Sequence, residues 1–422
     1  MSLIFSNNNS YRDETIFFLF LYMTLIASFI FGENSTGGAI KDYVNQKNVS
    51  QGFANEFIKT FYEYDTFATR HSPILIIFLS LFEKINVPDT FIRLIHLHLC
   101  LLLPFVFYRC LSIKFSKIDK KILFFLVSLI FLSPTFRSLA IWPDSRLFGL
   151  IFFTLSIYYF LKFYESKNFK FAIYNVFVLA LSAYLSPNFS VFSIFFFINF
   201  VLYYGFFSKQ ALYLVIINLV LAFPAFYYIF ILDVNFLLKS AAIGIKGNEK
   251  IIFNNLFNDI LITFSIFLFY LLPFYFLKVI RINKILILKN ILISIFIFSI
   301  CLFNFDYDYS FSGGGIFFKL SNYFFKNNYL FYFISFISIL VICSLISKNY
   351  TNILLFILIV LNNPQYTIYH KYFDPFLLIA FLTIFSFNLD LKKVYYKKNY
   401  LFIFGYFLVF LIISNLKLIL IV

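Results

Sequence analysis

The run from Ala211 to Leu232, ALYLVIINLVLAFPAFYYIFIL, holds 22 residues and no charge. A helix needs roughly 20 consecutive apolar residues to cross a hydrocarbon core, so this segment is long enough by itself. Leu147 to Tyr164 and Tyr400 to Val422 approach or reach the same length. The whole 422-residue chain is 62% hydrophobic and 13% charged, against about 25% charged in ordinary soluble domains. Inside lipid every backbone polar group must be satisfied within the structure, which leaves helices or closed barrels. A barrel would show alternating segments of about ten residues, and the runs here are continuous. The expected fold is therefore an all-α polytopic membrane protein. The abundance of Phe (69) and Tyr (31) follows from an AT-rich gene as readily as from selection, so no function is read from aromatic content.

Charge sets the expected topology. Short loops rich in Lys and Arg belong in the cytoplasm, and the most basic are Arg109 to Lys121, Lys162 to Lys170, Lys278 to Lys289 and Lys392 to Lys398. With Pro73 to Phe82 too short to span, and placed at the interface, all four fall on one side. About thirteen transmembrane helices result, near 15–32, 91–112, 122–136, 145–163, 171–187, 189–207, 211–232, 259–277, 287–304, 329–346, 350–363, 373–389 and 400–420. They form a single transmembrane domain, 1–422, with a first outer loop and its interfacial helices over 33–90. The other face receives that loop, the Arg137 to Arg146 connection, the Asp233 to Asp259 loop, the Asp306 to Lys326 loop and the Asn362 to Tyr372 turn.

The net charge of +15 is spread over short loops, with no arm or stripe, so orientation accounts for it and no nucleic-acid partner is expected. Cys100, Cys110, Cys301 and Cys343 lie in or beside apolar spans without metal-ligand or disulfide spacing, and read as packing residues. No small-residue cleavage site follows Ile16 to Phe31, which reads as a retained first span. His96 and His98, inside the second span, read as packing or hydrogen-bonding residues.

The chemistry-bearing residues gather on the non-basic face. In the first outer loop Gly37 and Gly38 precede Asp42, Phe53, Phe57, Phe61 and Tyr62 recur at helical spacing among Glu56, Lys59 and Glu63, and Tyr64 to Pro73 follows with Asp65, Arg70 and His71. Phe53 to Glu63 reads as an amphipathic surface helix. The second cluster is Ser133 to Arg146, with Arg137, Trp142, Pro143, Asp144 and Arg146. Pro143 suits the start of a helix, with Asp144 in its first turn. Asp144 could thus be a cap and the arginines mere neutralisers, although ionisable groups at the mouth of a bundle are a functional hypothesis by default. The third cluster, Tyr366 to Pro375, carries His370, Lys371 and Asp374, which would either hold a phosphate or act as a snorkelling Lys and a helix cap. Asp306, Asp308 and Gly313 to Gly315 form a weaker fourth, a flexible turn lacking the lysine of a phosphate loop. Asn34-Ser35-Thr36 and Asn48-Val49-Ser50 match a glycosylation acceptor pattern that an Asn-rich chain produces by chance.

Taken in order, these pieces resemble the GT-C superfamily of integral-membrane glycosyltransferases, in particular the bacterial relatives of protein O-mannosyltransferases and of the aminoarabinose transferases of lipid A. Arg70-His71-Ser72-Pro73-Ile74 looks like that family's Pro-Pro-Leu region, Arg93-Leu94 like its Arg-Leu, and Trp142-Pro143-Asp144-Ser145-Arg146-Leu147 like its second acidic motif. The likeness covers residues 15–165. The family's adjacent Asp-Glu pair is absent: Glu33 stands alone and Asp42 follows nine positions later, so either is a candidate base, with Asp42 favoured by its preceding glycines.

The resemblance implies transfer of a sugar from a polyprenyl-phosphate donor to a lipid, glycan or protein acceptor, on the non-cytoplasmic face of a bacterial inner membrane. An inverting transfer needs a carboxylate base at the acceptor hydroxyl and cations at the departing phosphate. Asp42 and Asp144 would be catalytic, Asp144 orienting the acceptor or sharing the role of base. Glu33, Arg70, His71, Arg137, Arg146, His370 and Lys371 would contact substrate. No cofactor is expected and no metal ligands are assigned, a divalent metal being left open. A lipid-linked polysaccharide polymerase or ligase, and a transporter or flippase, are the alternatives.

Overall fold

The long apolar runs among the described residues are helical, as the absence of water requires. The computed structural model describes residues 10–67, 69, 71–234, 255–282, 284–308, 313–347, 349–363 and 367–421. Among them there is no strand, and the one β-type contact is an isolated bridge between Ile280 and Leu389. Eight helices are long and apolar enough to cross a membrane: Asp89–Lys114, Ser145–Ser166, Pro187–Tyr204, Lys209–Ile231, Leu256–Phe276, Ile285–Phe303, Tyr329–Ile346 and Lys397–Leu416. The fold is thus all-helical and compatible with an integral membrane protein. Five of the thirteen expected spans lie outside this set. Ser10–Ile30, Phe169–Leu185 and Tyr350–Leu361 are helical but contribute shorter apolar lengths, and Phe376–Thr383 has only two turns.

The fifth departs most from expectation. The segment expected to span at 122–136 and then cross outside from Arg137 is a helix Lys120–Ser128, a tight turn Leu129–Leu132, and a second helix Pro134–Ile141 set 65° away. Every residue from Phe125 to Ile141 is buried, so Arg137 does not open an exposed connection. A break at this depth needs internal partners for its freed amides, and Asp374 supplies them. Its Oδ2 accepts from the Ser133 hydroxyl at 2.6 Å and the Thr135 amide at 3.0 Å, while Ser133 Oγ accepts from the Phe136 amide at 2.9 Å. Asp374 therefore caps a helix 240 residues upstream rather than the one that follows it.

Around this break the bundle is layered by burial. Leu256–Phe276 is central, with 78% of its apolar window buried, whereas Lys209–Ile231 and Ile285–Phe303 are peripheral at 11% each. Ser145–Ser166 and Phe169–Leu185 form a close antiparallel pair. Ser182 Oγ donates to the Gly149 carbonyl at 2.7 Å and Asn175 to the Ser156 carbonyl at 2.8 Å. Gly149 permits the approach, because a Cβ there would stand 2.5 Å from that of Ser186. Small residues at such crossings are the usual means of helix contact in lipid.

Between the first helix and the span beginning at Asp89, the chain folds as helices Ala39–Asn55, Phe57–Tyr62 and Pro73–Lys84. Tyr43, Leu75, Leu79, Ile92 and Leu185 form one small core there, and Val49, Phe53, Tyr64, Ile76 and Tyr228 another. The expected amphipathic helix over Phe53 to Glu63 is interrupted at Glu56, with Phe53 buried and Phe57 and Tyr62 exposed. Three of the basic loops meet at the end of the bundle opposite this assembly. Lys114 donates to the Phe385 carbonyl at 2.6 Å, Lys393 to that of Lys278 at 2.9 Å, and the Asp390 amide to that of Val279 at 2.9 Å.

Candidate functional site

Three segments remote in sequence converge on one point. Asp42 lies in the first turn of Ala39–Asn55, after Gly37 turns the chain with φ +79. His71 lies just ahead of Pro73–Lys84, its position fixed by the Tyr64 hydroxyl, which donates to the His71 carbonyl at 2.7 Å. Asp144 is the N-cap of Ser145–Ser166. One ligand atom from each of Asp42, His71 and Asp144 lies within 4.8 Å of the others. Lys371 reaches the same point from the fourth segment, its ammonium donating to Asp42 Oδ2 at 2.8 Å. Gly38 borders this contact, and a Cβ there would stand 3.5 Å from Lys371 Nζ, an ordinary van der Waals distance.

Asp144 both caps and faces the cluster. Oδ1 accepts from the Arg146 amide at 2.8 Å, whereas Oδ2 is buried with no hydrogen-bond partner, in a residue only 1% exposed. The helix starts at Ser145, so Pro143 precedes it instead of opening it. Arg146 lays its guanidinium 4.2 Å from the Tyr372 ring centre, with Nη1 buried and unpartnered. His71 Nδ1 is 3.2 Å from the Ser145 hydroxyl.

Electrostatics follow from this packing. Burial holds the His71 imidazole below its ordinary value; the Asp144 and Asp42 carboxylates pull it back up, and the positive charges of Arg146 and Lys371 add to the lowering. The ring is therefore neutral near pH 7. Burial alone would raise the Asp144 carboxyl, but the positive charges of Arg146 and Lys371 and the hydrogen bond from the Arg146 amide hold it below the usual carboxylate range. The result is two carboxylates beside two cations and a neutral imidazole, a set that can accept a proton and bind an anion at once.

The other sequence-selected residues are placed elsewhere. Glu33 and Arg137 pair with each other, Nε to Oε2 at 2.8 Å, at 8% and 7% side-chain exposure. Arg137 also donates to the Thr24 carbonyl at 3.0 Å, the Phe131 carbonyl at 3.3 Å and the Ser28 hydroxyl. The Glu33 carbonyl accepts from Trp142 Nε1 at 3.0 Å. The pair thus ties the first helix to Pro134–Ile141 and does not join the Asp42 group. His370 turns inward, its Nε2 3.2 Å from the Tyr270 hydroxyl, which donates to Asp374 Oδ1 at 2.8 Å. Burial beside Lys319 pushes that imidazole down to about 3, so it brings no positive charge to a phosphate. Arg70 lies outside the described residues. Gly313 to Gly315, expected as a flexible turn beside the site, pack on Ile368, three residues before Lys371: the Gly314 amide donates to the Ile368 carbonyl at 2.8 Å, and a Cβ on Gly313 would stand 2.5 Å from the same oxygen.

Of the supports around the cluster, the sequence marks Arg93 through the Arg93-Leu94 motif but does not mark Asp89, Tyr43 or Lys47. Arg93 stacks 3.5 Å over the Trp142 ring and donates to the Ile141 carbonyl at 3.1 Å, bracing the turn before Asp144. Asp89 receives the Tyr43 hydroxyl at 2.6 Å and the Lys47 ammonium at 2.7 Å, fixing the helix that carries Asp42. Tyr43 falls one residue after Asp42 and shares the buried face of Ala39–Asn55 with Gln46 and Val49 at three-residue spacing. No family model, curated protein or solved structure matches the chain.

Proposed function

We propose that the protein is an integral-membrane glycosyltransferase that moves a sugar from a polyprenyl-phosphate donor to a lipid, glycan or protein acceptor on the non-cytoplasmic face of a bacterial inner membrane. The observation that carries this reading is the meeting of Asp42, His71 and Asp144 with Lys371 at one end of an apolar bundle. Asp42 serves as the base that takes the acceptor proton, and Asp144 orients the acceptor or shares that task. Lys371 and Arg146 receive the departing phosphate, and their cationic hydrogen bonds are the strong kind for that purpose. In the resting arrangement Lys371 occupies Asp42. A donor phosphate that draws the ammonium away leaves the carboxylate free at the moment a base is required.

Support for the orientation comes from one helix. Asp144 caps the start of Ser145–Ser166, and the basic segment Lys162 to Lys170 covers its other end. A helix of 22 residues is about 33 Å long, roughly the hydrocarbon thickness, so the acidic cluster and the basic loops belong to opposite faces. Cysteine labelling in a chain without the four native cysteines tests this. A Lys41→Cys variant is expected to react with impermeant reagent from outside and Lys117→Cys only after permeabilisation, both positions being exposed; the reverse pattern would invert the topology.

Purified protein supplied with a panel of polyprenyl-phosphate sugars and acceptors tests the activity itself. Transfer from one donor supports the proposal, growth of a lipid-linked polymer would favour the polymerase or ligase, and no turnover with any donor would reject both. A transporter is favoured by one feature, the Glu33–Arg137 pair buried within the bundle. Substrate flux in sealed vesicles without transfer would establish it.

A further inference from the structure

We propose that Asp42, His71 and Asp144 bind one divalent cation such as Mn²⁺ or Zn²⁺. Two carboxylates and an imidazole, from three separate segments, offer ligand atoms within 4.8 Å of one another; bonds of about 2.0–2.2 Å put two ligands of one ion at most about 4.4 Å apart, so the side chains draw together as the ion binds. A mixed nitrogen and oxygen set suits Mn²⁺ or Zn²⁺ better than Ca²⁺, which takes oxygen alone.

A second observation points the same way. Asp144 is 1% exposed, and its Oδ2 has no hydrogen-bond partner although Oδ1 is used by the Arg146 amide. A buried carboxylate oxygen without a partner is costly, and a metal ion is one of the few groups that satisfies it. The His71 ring is oriented at Nδ1 by the Ser145 hydroxyl, the kind of outer contact that positions imidazole ligands.

Lys371 and Arg146 already balance the two carboxylates, so an arriving cation must displace Lys371 from Asp42. The ammonium then becomes free to meet an anion, and each carboxylate keeps a second oxygen for other partners. The site needs neither donor nor acceptor, which allows binding to be measured separately from transfer.

The experiment is titration of the metal-stripped, detergent-purified chain with Mn²⁺, following the free ion by electron paramagnetic resonance and competing with Zn²⁺. One saturable ion per chain is expected. Asp144→Asn, which keeps the shape and the capping oxygen, and His71→Ala should each weaken binding by about 10²-fold or more, since even outer partners of metal ligands cost 10–100-fold. Lys371→Met should tighten it by about tenfold, because a competing positive charge is removed; a misfolded chain could not produce that gain. The absence of saturable Mn²⁺ binding in the unmodified protein, or equal affinity in Asp144→Asn and His71→Ala, would overturn the site, and unchanged affinity in Lys371→Met would overturn the displacement of the lysine. An inert site leaves the transferase reading standing with Asp42 as direct base, and failed transfer leaves the metal site standing.

Discussion

Replacement of Asp42 by Asn is expected to lower sugar transfer by roughly 10²–10⁴-fold, the usual loss when a general base is removed, while donor binding and the folded state are largely kept. The amide preserves the shape of the carboxylate but cannot take up the acceptor proton. Asp42 is also 30% exposed at its side chain, and its partner Lys371 is 13% exposed. The Asn side-chain oxygen can still accept from the Lys371 ammonium, so the fold is largely kept. Single-turnover transfer, measured beside donor binding and thermal unfolding, separates the two effects. Turnover near that of the unmodified protein would take Asp42 out of the mechanism and leave Asp144 as the remaining carboxylate of the cluster.

Glu33→Gln should produce the opposite profile, a loss of stability in place of a selective loss of chemistry. Glu33 and Arg137 are both more than nine-tenths buried, and the carboxylate accepts from Arg137 Nε at 2.8 Å. Removing one member of such a pair strands the other charge away from water, at a cost of about 3–5 kcal/mol. Glu33→Gln combined with Arg137→Met removes both charges, and most of the lost stability should return, because burying neither ion costs less than burying one. Unfolding of the two single variants and the double variant gives the coupling directly. If Glu33→Gln folds as stably as the unmodified chain yet fails in transfer, Glu33 is the base and the assignment moves from Asp42 to Glu33.

In the sequence Glu33 and Asp42 both follow the first apolar run, and only the glycines before Asp42 favour it as the base. What separated them is their partners, and partners come from segments more than a hundred residues away. The same holds for His370 and Lys371, adjacent in the chain, of which one faces Tyr270 and the other Asp42. Neighbours in a short helical turn point in different directions, so a motif that names both cannot say which one reaches the site.

The sequence alone determined that the chain is helical and apolar, which residues are charged, and that the charges divide into basic loops and a mixed acidic set. Those properties follow from local composition, because a hydrocarbon solvent leaves the backbone few choices. Tertiary structure decided the remainder: the 65° break at Ser133, the use of Asp374 to satisfy it, the withdrawal of Glu33 and Arg137 into a buried pair, and the meeting of Asp42, His71 and Asp144. The reason is physical, since a polar group taken out of water must find a partner wherever packing brings one, and the periodicity of a single segment carries no record of which other segment that will be.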